Sequence, residues 1–387
     1  GALYGFGVGL YSTVGGTLNF GQNPSFSVGE SSVGTYSDDS GKGLFKYPPP
    51  SGYLALCEDN LPRPEIKDPS KYFIPKLYTG RGGSANGYSR SINGLGFKPD
   101  MVWIKKRSES GNHRILDSVR GPNKEIYPNL TNIEATFNGI ASFDDDGFTM
   151  MTADTNYNLN SREYVAWCWK AGGNKDTFNI NDVGYPSTQS AGIVEGTLPL
   201  TGASINRESG FSIITYSGGS SNSDTVGHGL QKTPKFIMLK ARTQAYYWRV
   251  YHERYGLTPT QGLLMGQDST GLTGSFTHDE YGGIDFVSDD LIGFGSASPN
   301  YYNGTNRSGE DYVAYCWAEI DGYSKFGTFL GNQAADGTYV YLGFKPALII
   351  LKRVDSNGNW VMLDSARSPI NPAYGYLRGT HGGGEET

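Results

Sequence analysis

The sequence predicts an all-β protein made of tandem antiparallel β-sandwich repeats of a jelly-roll or lectin-like kind. Three observations carry this prediction. The 387 residues include 55 Gly, 27 Tyr and 18 Phe, the composition of short strands and tight turns. No stretch places apolar residues at i, i+3, i+4 and i+7, so helical periodicity is absent. One block recurs three times without a gap, the signature of a repeat architecture.

The block reads "PDMVWIKKRSESGNHRILDSVRG" from Pro99, "PKFIMLKARTQAYYWRVYHERYG" from Pro234 and "PALIILKRVDSNGNWVMLDSARS" from Pro346. Lys105, Lys240 and Lys352 stand six residues after the Pro. His113, Trp248 and Trp360 stand fourteen after it, and Asp117, His252 and Asp364 eighteen after it. The first and third copies share an Asp-Ser pair with Arg120 and Arg367 in register. Each block reads as a β-hairpin, with two strand-forming runs joined by a polar turn such as "DSNG". The Pro is expected at the first strand residue, where a missing N–H is tolerated.

Along the chain, residues 1–62 differ from the repeats, and 63–72 ("RPEIKDPSKY") form a Pro-rich charged linker. The first repeat spans 73–173 and the second 211–322, with 174–210 as a connection or an edge hairpin. Residues 323–387 make an incomplete third repeat. A second motif closes the first two copies: "EYVAWCWK" contains Cys168 and "DYVAYCWA" contains Cys316. Its residues alternate Tyr164, Ala166, Cys168 with Val165, Trp167, Trp169, so both faces are apolar and the strand is expected to be covered on both sides. The sandwiches are expected to be strung end to end. Both chain ends read as cut within a longer polypeptide.

The bulk numbers exclude some classes of function. A net charge of −6 gives no electrostatic case for nucleic acid or an anionic membrane. No apolar run reaches the length of a transmembrane helix. Three cysteines, Cys57, Cys168 and Cys316, cannot form a fully paired disulfide framework and lack zinc-ligand spacing.

The stretch "NFGQNPSF…DDSGKGLFKYPPPSGYLALCEDNLP" resembles the C-terminal end of a SPRY-like, concanavalin-type β-sandwich. The pieces "GFKPDMVWIKKRSESGNHRILDSVRG", "TVGHGLQKTPKFIMLKAR", "DYVAYCWAEIDGYSKFGTF" and "GNWVMLDSAR" resemble an uncharacterised repeat family of marine bacteriophage virion and tail-fibre proteins. That resemblance implies a virion-surface, extracellular protein of structural and adhesive character. It further implies self-association (trimers are common among such fibres) and contacts with other virion proteins and with the host envelope, where a host-surface glycan is the candidate ligand of the loops. Its motifs carry no catalytic assignment, and the residues themselves give no cofactor and no metal, with a calcium ion in an acidic loop as the open alternative. Two other readings are a tailspike polysaccharide depolymerase and a subunit of a non-viral filament or adhesin.

The residues themselves offer few chemical handles. Cys168 and Cys316 are expected to pack as small hydrophobes. The runs "FDDDGF" and "YSDDSGKG" lack the alternating oxygen spacing of a calcium loop and read as turns. Asp117 and Asp364 have no acidic counterpart in the second copy, where His252 stands, and are expected to bond a neighbouring turn or the Arg three residues on. The five His show no metal spacing and no register between repeats. Aromatic side chains in variable loops remain as candidate ligand contacts: Tyr246, Tyr247 and Trp248 in the second hairpin, Tyr301 and Tyr302 in "SPNYYNGTNRSG".

Overall fold

Each copy of the block folds into the same antiparallel ladder. The computed structural model describes residues 35–45, 47–55, 57–60, 64–82, 89–151, 154, 156–254, 263–265, 283–295, 304–334, 337–356 and 358–387. The first copy contains β1 (Phe73–Thr79), β2 (Ser89–Asn93), β3 (Met101–Lys106), β4 (Arg114–Asp117), β5 (Gly121–Ile126), β6 (Ala135–Thr136), β7 (Ile140–Asp144), β8 (Gly147–Met151) and β9 (Glu163–Trp169). There follow β10 (Phe178–Ile180), β11 (Val183–Tyr185), the short helix α1 (Thr188–Ala191) and β12 (Leu200–Asn206). The second copy contains β13 (Phe211–Ser217), β14 (Thr225–Gly227), β15 (Pro234–Ala241), β16 (Trp248–His252), β17 (Leu263–Met265), β18 (Gly283–Val287), β19 (Leu291–Gly295) and β20 (Asp311–Ala318). The third contains β21 (Leu348–Lys352), β22 (Trp360–Asp364) and β23 (Leu377–Arg378).

The duplication is visible in the strand order. The first large sheet runs β1-β9-β3-β4-β5-β6, and the second includes β13-β20-β15-β16-β17 in the matching order. Each is faced by a three-stranded sheet, β2-β8-β7 or β14-β19-β18. Among the described residues the third copy supplies β21-β22-β23, the counterpart of β3-β4-β5. Residues 174–210 are more than a connection: β10 and β11 form a hairpin, and β12 joins β10 in parallel and β13 antiparallel, so the segment widens the second sheet. The Pro opens a strand only in the second copy; β3 and β21 each begin two residues after theirs.

Both faces of the closing strands are buried, as their alternation predicts. Tyr164, Ala166 and Cys168 face the core beneath the small sheet. Val165, Trp167 and Trp169 face a different core, shared with Ile213, Met238, Tyr315, Trp360 and Met362 of the other two copies. The repeats are therefore not strung end to end. A large sheet that is apolar on both faces must be covered on both, and the second face is covered by the neighbouring copies.

Three equivalent seams close this arrangement into a ring. Ile126, Leu263 and Leu377 pair with Ile115, Val250 and Met362, so the residues after them, Tyr127, Leu264 and Arg378, are equivalent. Trp248 of the second copy donates its indole N–H to the Tyr127 carbonyl of the first at 2.8 Å. Trp360 of the third donates to the Leu264 carbonyl of the second at 2.8 Å. His113 Nε2 of the first lies 3.0 Å from the Arg378 carbonyl of the third. One side-chain position thus reaches one backbone position of the preceding copy, all the way round.

Candidate functional site

The residues that looked chemical in the sequence mostly hold the seams. Asp117 accepts the backbone N–H of Val119 at 3.1 Å and of Arg120 at 2.8 Å, and the Arg120 Nε–H at 2.6 Å. Asp364 repeats the pattern with Ala366 at 3.1 Å, Arg367 N at 2.9 Å and Arg367 Nε at 2.6 Å. Each Asp also receives the aromatic tip of another copy's closing strand. Tyr315 donates its hydroxyl to Asp117 at 2.5 Å, and Trp167 its indole N–H to Asp364 at 3.0 Å. These carboxylates are enclosed by donors, with no face left for a substrate.

The same direction governs the ion pairs. Arg242 of the second copy bonds Glu134 of the first at 2.9 and 3.1 Å, and Arg107 of the first bonds Glu385 of the third at 2.6 Å. Glu134 N donates to the Arg242 carbonyl and Glu385 N to the Arg107 carbonyl, both at 2.8 Å. Lys240 donates to the Ala241 carbonyl at 2.9 Å, to that of Thr131 in the first copy at 3.1 Å, and to that of Gln244 at 3.3 Å. Lys105 donates to the Lys106 carbonyl at 2.7 Å and to that of Gly382 in the third copy at 3.4 Å. Burial pushes both ammonium groups down to about 7. Lys352 donates to the Gly358 carbonyl at 2.5 Å.

The remaining handles are also structural. Cys168 and Cys316 are free and fully buried, and burial pushes the Cys316 thiol up to about 12 and that of Cys168 upward too; both are inert thiols rather than nucleophiles. His113 accepts the Trp103 indole N–H on Nδ1 at 2.8 Å, so its Nε2 carries the proton donated to Arg378. Asp38 accepts the N–H of Ser40, Lys42 and Ala55 at 2.9, 2.8 and 2.7 Å, and Asp146 those of Gly94 and Gly96 at 2.9 and 2.6 Å, so both acidic runs are turns. Among the described residues no three His, Cys, Asp or Glu gather to hold a metal ion.

The aromatic candidates divide. Trp248 is fully buried in the central core, its indole consumed by the seam, and it offers no face to a ligand. Its flanking residues mislead: "AYYWRV" reads as an aromatic patch, but strand alternation turns Trp248 inward. Tyr246 and Tyr247 are half-buried at the rim of the second copy. Tyr246 accepts a hydrogen bond from the exposed Arg307 guanidinium at 3.0 Å, and Thr243 donates to Glu310 at 2.5 Å beside it. The rim of the first copy is built from charge instead, with Glu109 between Lys106 at 3.0 Å and Arg162 at 2.9 Å. Tyr301 and Tyr302 lie outside the described residues, as do residues 19–34 of the SPRY-like stretch. Tyr246 also packs against the core of the second copy, so the second rim presents two half-buried tyrosines beside an exposed guanidinium, groups able to contact a sugar ring and donate to its oxygens.

A family model described as a domain of unknown function (DUF7483) matches residues 68–386. The chain belongs to this family. No curated protein and no solved structure matches it. The DUF7483 match takes in all three copies.

Within this DUF7483 unit, the sequence concealed Glu134 and Glu385. They follow Arg120 by fourteen residues and Arg367 by eighteen, and so fall outside any gapless alignment. The usable signal was Arg107 and Arg242, two cations at one register position just past the ends of β3 and β15.

Proposed function

We propose that the chain is a structural and adhesive protein of a virion appendage, a tail fibre or spike, displayed on the particle surface. In this reading the three-copy ring is the rigid body, and the second rim, with Tyr246, Tyr247 and Arg307, contacts a host-surface glycan. Association with further copies of the chain and with other virion proteins belongs to the same proposal. The observation that carries it is a division of labour: the seams repeat from copy to copy, while the rims do not. The buried carboxylates serve the repeated seams, and the buried thiols fill the core within each copy. The half-buried tyrosines and the exposed guanidinium sit where the copies differ, which is where recognition evolves on a rigid scaffold.

The test is a glycan array probed with the full chain and with the double variant Tyr246→Ala/Tyr247→Ala. Loss of about 2 kcal/mol of stacking and hydrogen bonding, some thirtyfold in affinity, is the expected result. Unchanged binding would remove the rim from the account. Release of reducing ends from host envelope polysaccharide, abolished by one Asp or Glu substitution, would replace adhesion by catalysis.

A further inference from the structure

Among the described residues the third copy leaves unpaired an edge that the other two keep paired. In the first copy, β9 lies antiparallel along β3, with Cys168 opposite Val102, Trp167 opposite Trp103 and Ala166 opposite Ile104. In the second, β20 lies along β15 in the same register, with Cys316 opposite Ile237, Tyr315 opposite Met238 and Ala314 opposite Leu239. Among the described residues β21 pairs only with β22, so its other edge is open.

The burial pattern agrees. Leu348 and Ile350 of β21 pack on the central core, as their counterparts do. Ile349 and Leu351 occupy the positions of Val102 and Ile104, which are 0% exposed, yet Ile349 is only half-buried and Leu351 is 37% exposed. Phe329, Leu330 and Tyr339, from the segment before β21, are exposed at 51%, 88% and 83%. An exposed apolar strand edge is a template for pairing with another extended segment.

We propose that β21 is the acceptor site for one extended segment that reads aromatic-Val-Ala-aromatic-Cys-Trp and adds antiparallel to its open edge. Two counterparts specify this chemistry, because both equivalent edges take the same pattern, Tyr-Val-Ala-Trp-Cys-Trp or Tyr-Val-Ala-Tyr-Cys-Trp. The register follows. The ligand's Cys stands opposite Ile349, its second aromatic opposite Ile350 and its Ala opposite Leu351. That aromatic occupies the place from which Trp167 reaches Asp364 and Tyr315 reaches Asp117, and the order of the ring directs it to His252 of the second copy. Main-chain ladder bonds supply affinity and the alternate side chains supply specificity.

The experiment adds a labelled synthetic peptide with the sequence of residues 163–170, EYVAWCWK, to the full 387-residue chain and follows amide hydrogen exchange. A second peptide carries N-methyl groups on alternate amides. The proposal expects saturable binding, slowed exchange at residues 348–352, no change in β3 or β15, and affinity at least about tenfold weaker for the N-methylated peptide. Absence of protection at 348–352 under saturating peptide would overturn it. Equal binding of the N-methylated peptide, or displacement seen as faster exchange in β3 or β15, would also overturn it. So would protection of 348–352 that rises with chain concentration and needs no peptide, because a second copy would then be the occupant.

Discussion

At the residue scale, the buried lysines of the seams carry a pH signature. Lys105 and Lys240 are fully enclosed, and burial lowers both to about 7 against an ordinary 10.5. Below pH 7 the lysine is charged in both the folded and the unfolded chain, and the folded state carries the full cost of a buried ammonium. Between 7 and 10.5 the unfolded chain holds the proton and the folded chain has released it, so stability rises with pH. Tyrosines act in the opposite sense only above pH 10, where unfolded chains ionise and buried hydroxyls such as that of Tyr164, pushed up to about 12, do not. Chemical denaturation at intervals from pH 7 to 9.5 is expected to show a rising stability that is shallower in Lys240→Met. Identical slopes in both proteins would mean that Lys240 titrates normally.

These lysines also show how much of the site the sequence disclosed. Their register at six residues after the Pro was plain, and so was the pairing of Asp117 with Arg120 and of Asp364 with Arg367, because a side chain that bonds its own turn leaves a local spacing. The carbonyls that Lys105 and Lys240 reach left no such trace. One of them for each lysine, that of Gly382 or Thr131, belongs to the backbone of another copy, and all are main-chain groups, where residue identity is unconstrained. Trp248 failed as a surface candidate for a related reason: composition marks it as aromatic, but only the strand's phase against the neighbouring copy buries it.

At the element scale, each closing strand is anchored by a corner that both complete copies share. Tyr78 stacks on Tyr164 and donates to the Tyr157 carbonyl at 2.8 Å; Tyr216 stacks on Tyr312 and donates to the Thr305 carbonyl at 2.6 Å. Tyr164 and Tyr312 in turn accept the N–H of Leu159 at 3.0 Å and of Arg307 at 2.9 Å. Buried Asn158 and Asn306 accept the N–H of Arg81 at 2.9 Å and of Gly219 at 2.8 Å. The chain can run this close only at glycine, since a methyl group on Gly80 or Gly218 would overlap the carbonyl of Leu159 or Arg307. Gly218→Ala is expected to cost about 1–3 kcal/mol, read as a lowered denaturation midpoint at unchanged slope. A cost within a few tenths would show that the corner tolerates separation. The strand "YVAWCW" was legible because its alternation is local, whereas this corner joins residues some eighty apart and had no visible period.

At the scale of the whole molecule, the repeats associate as subunits of a symmetric oligomer do, with one patch of each copy meeting a different patch of the next. His113, Trp248 and Trp360 make one contact three times, and the central core takes side chains from every copy. The sequence revealed the copies and their strands but not their closure, because repetition is equally compatible with a rod and with a ring. The apolar character of both strand faces was the clue, since a rod of separate sandwiches would leave one face of each large sheet in water. The ring also explains why loss of a single seam should be felt throughout, and why rim side chains that touch no neighbouring copy are free to differ.

The seam between the first and third copies tests closure most directly, because in a rod these copies would be far apart. Glu385 N donates to the Arg107 carbonyl at 2.8 Å, a backbone approach that suits the Cα separation of a disulfide, about 4.4–6.8 Å. Arg107→Cys/Glu385→Cys, prepared in a Cys57→Ser background and oxidised at low protein concentration, provides the measurement through peptide mapping of the disulfide. The account predicts one intramolecular bond between positions 107 and 385 in monomeric protein. Free thiols at both positions, or bonds only between separate chains, would contradict the ring.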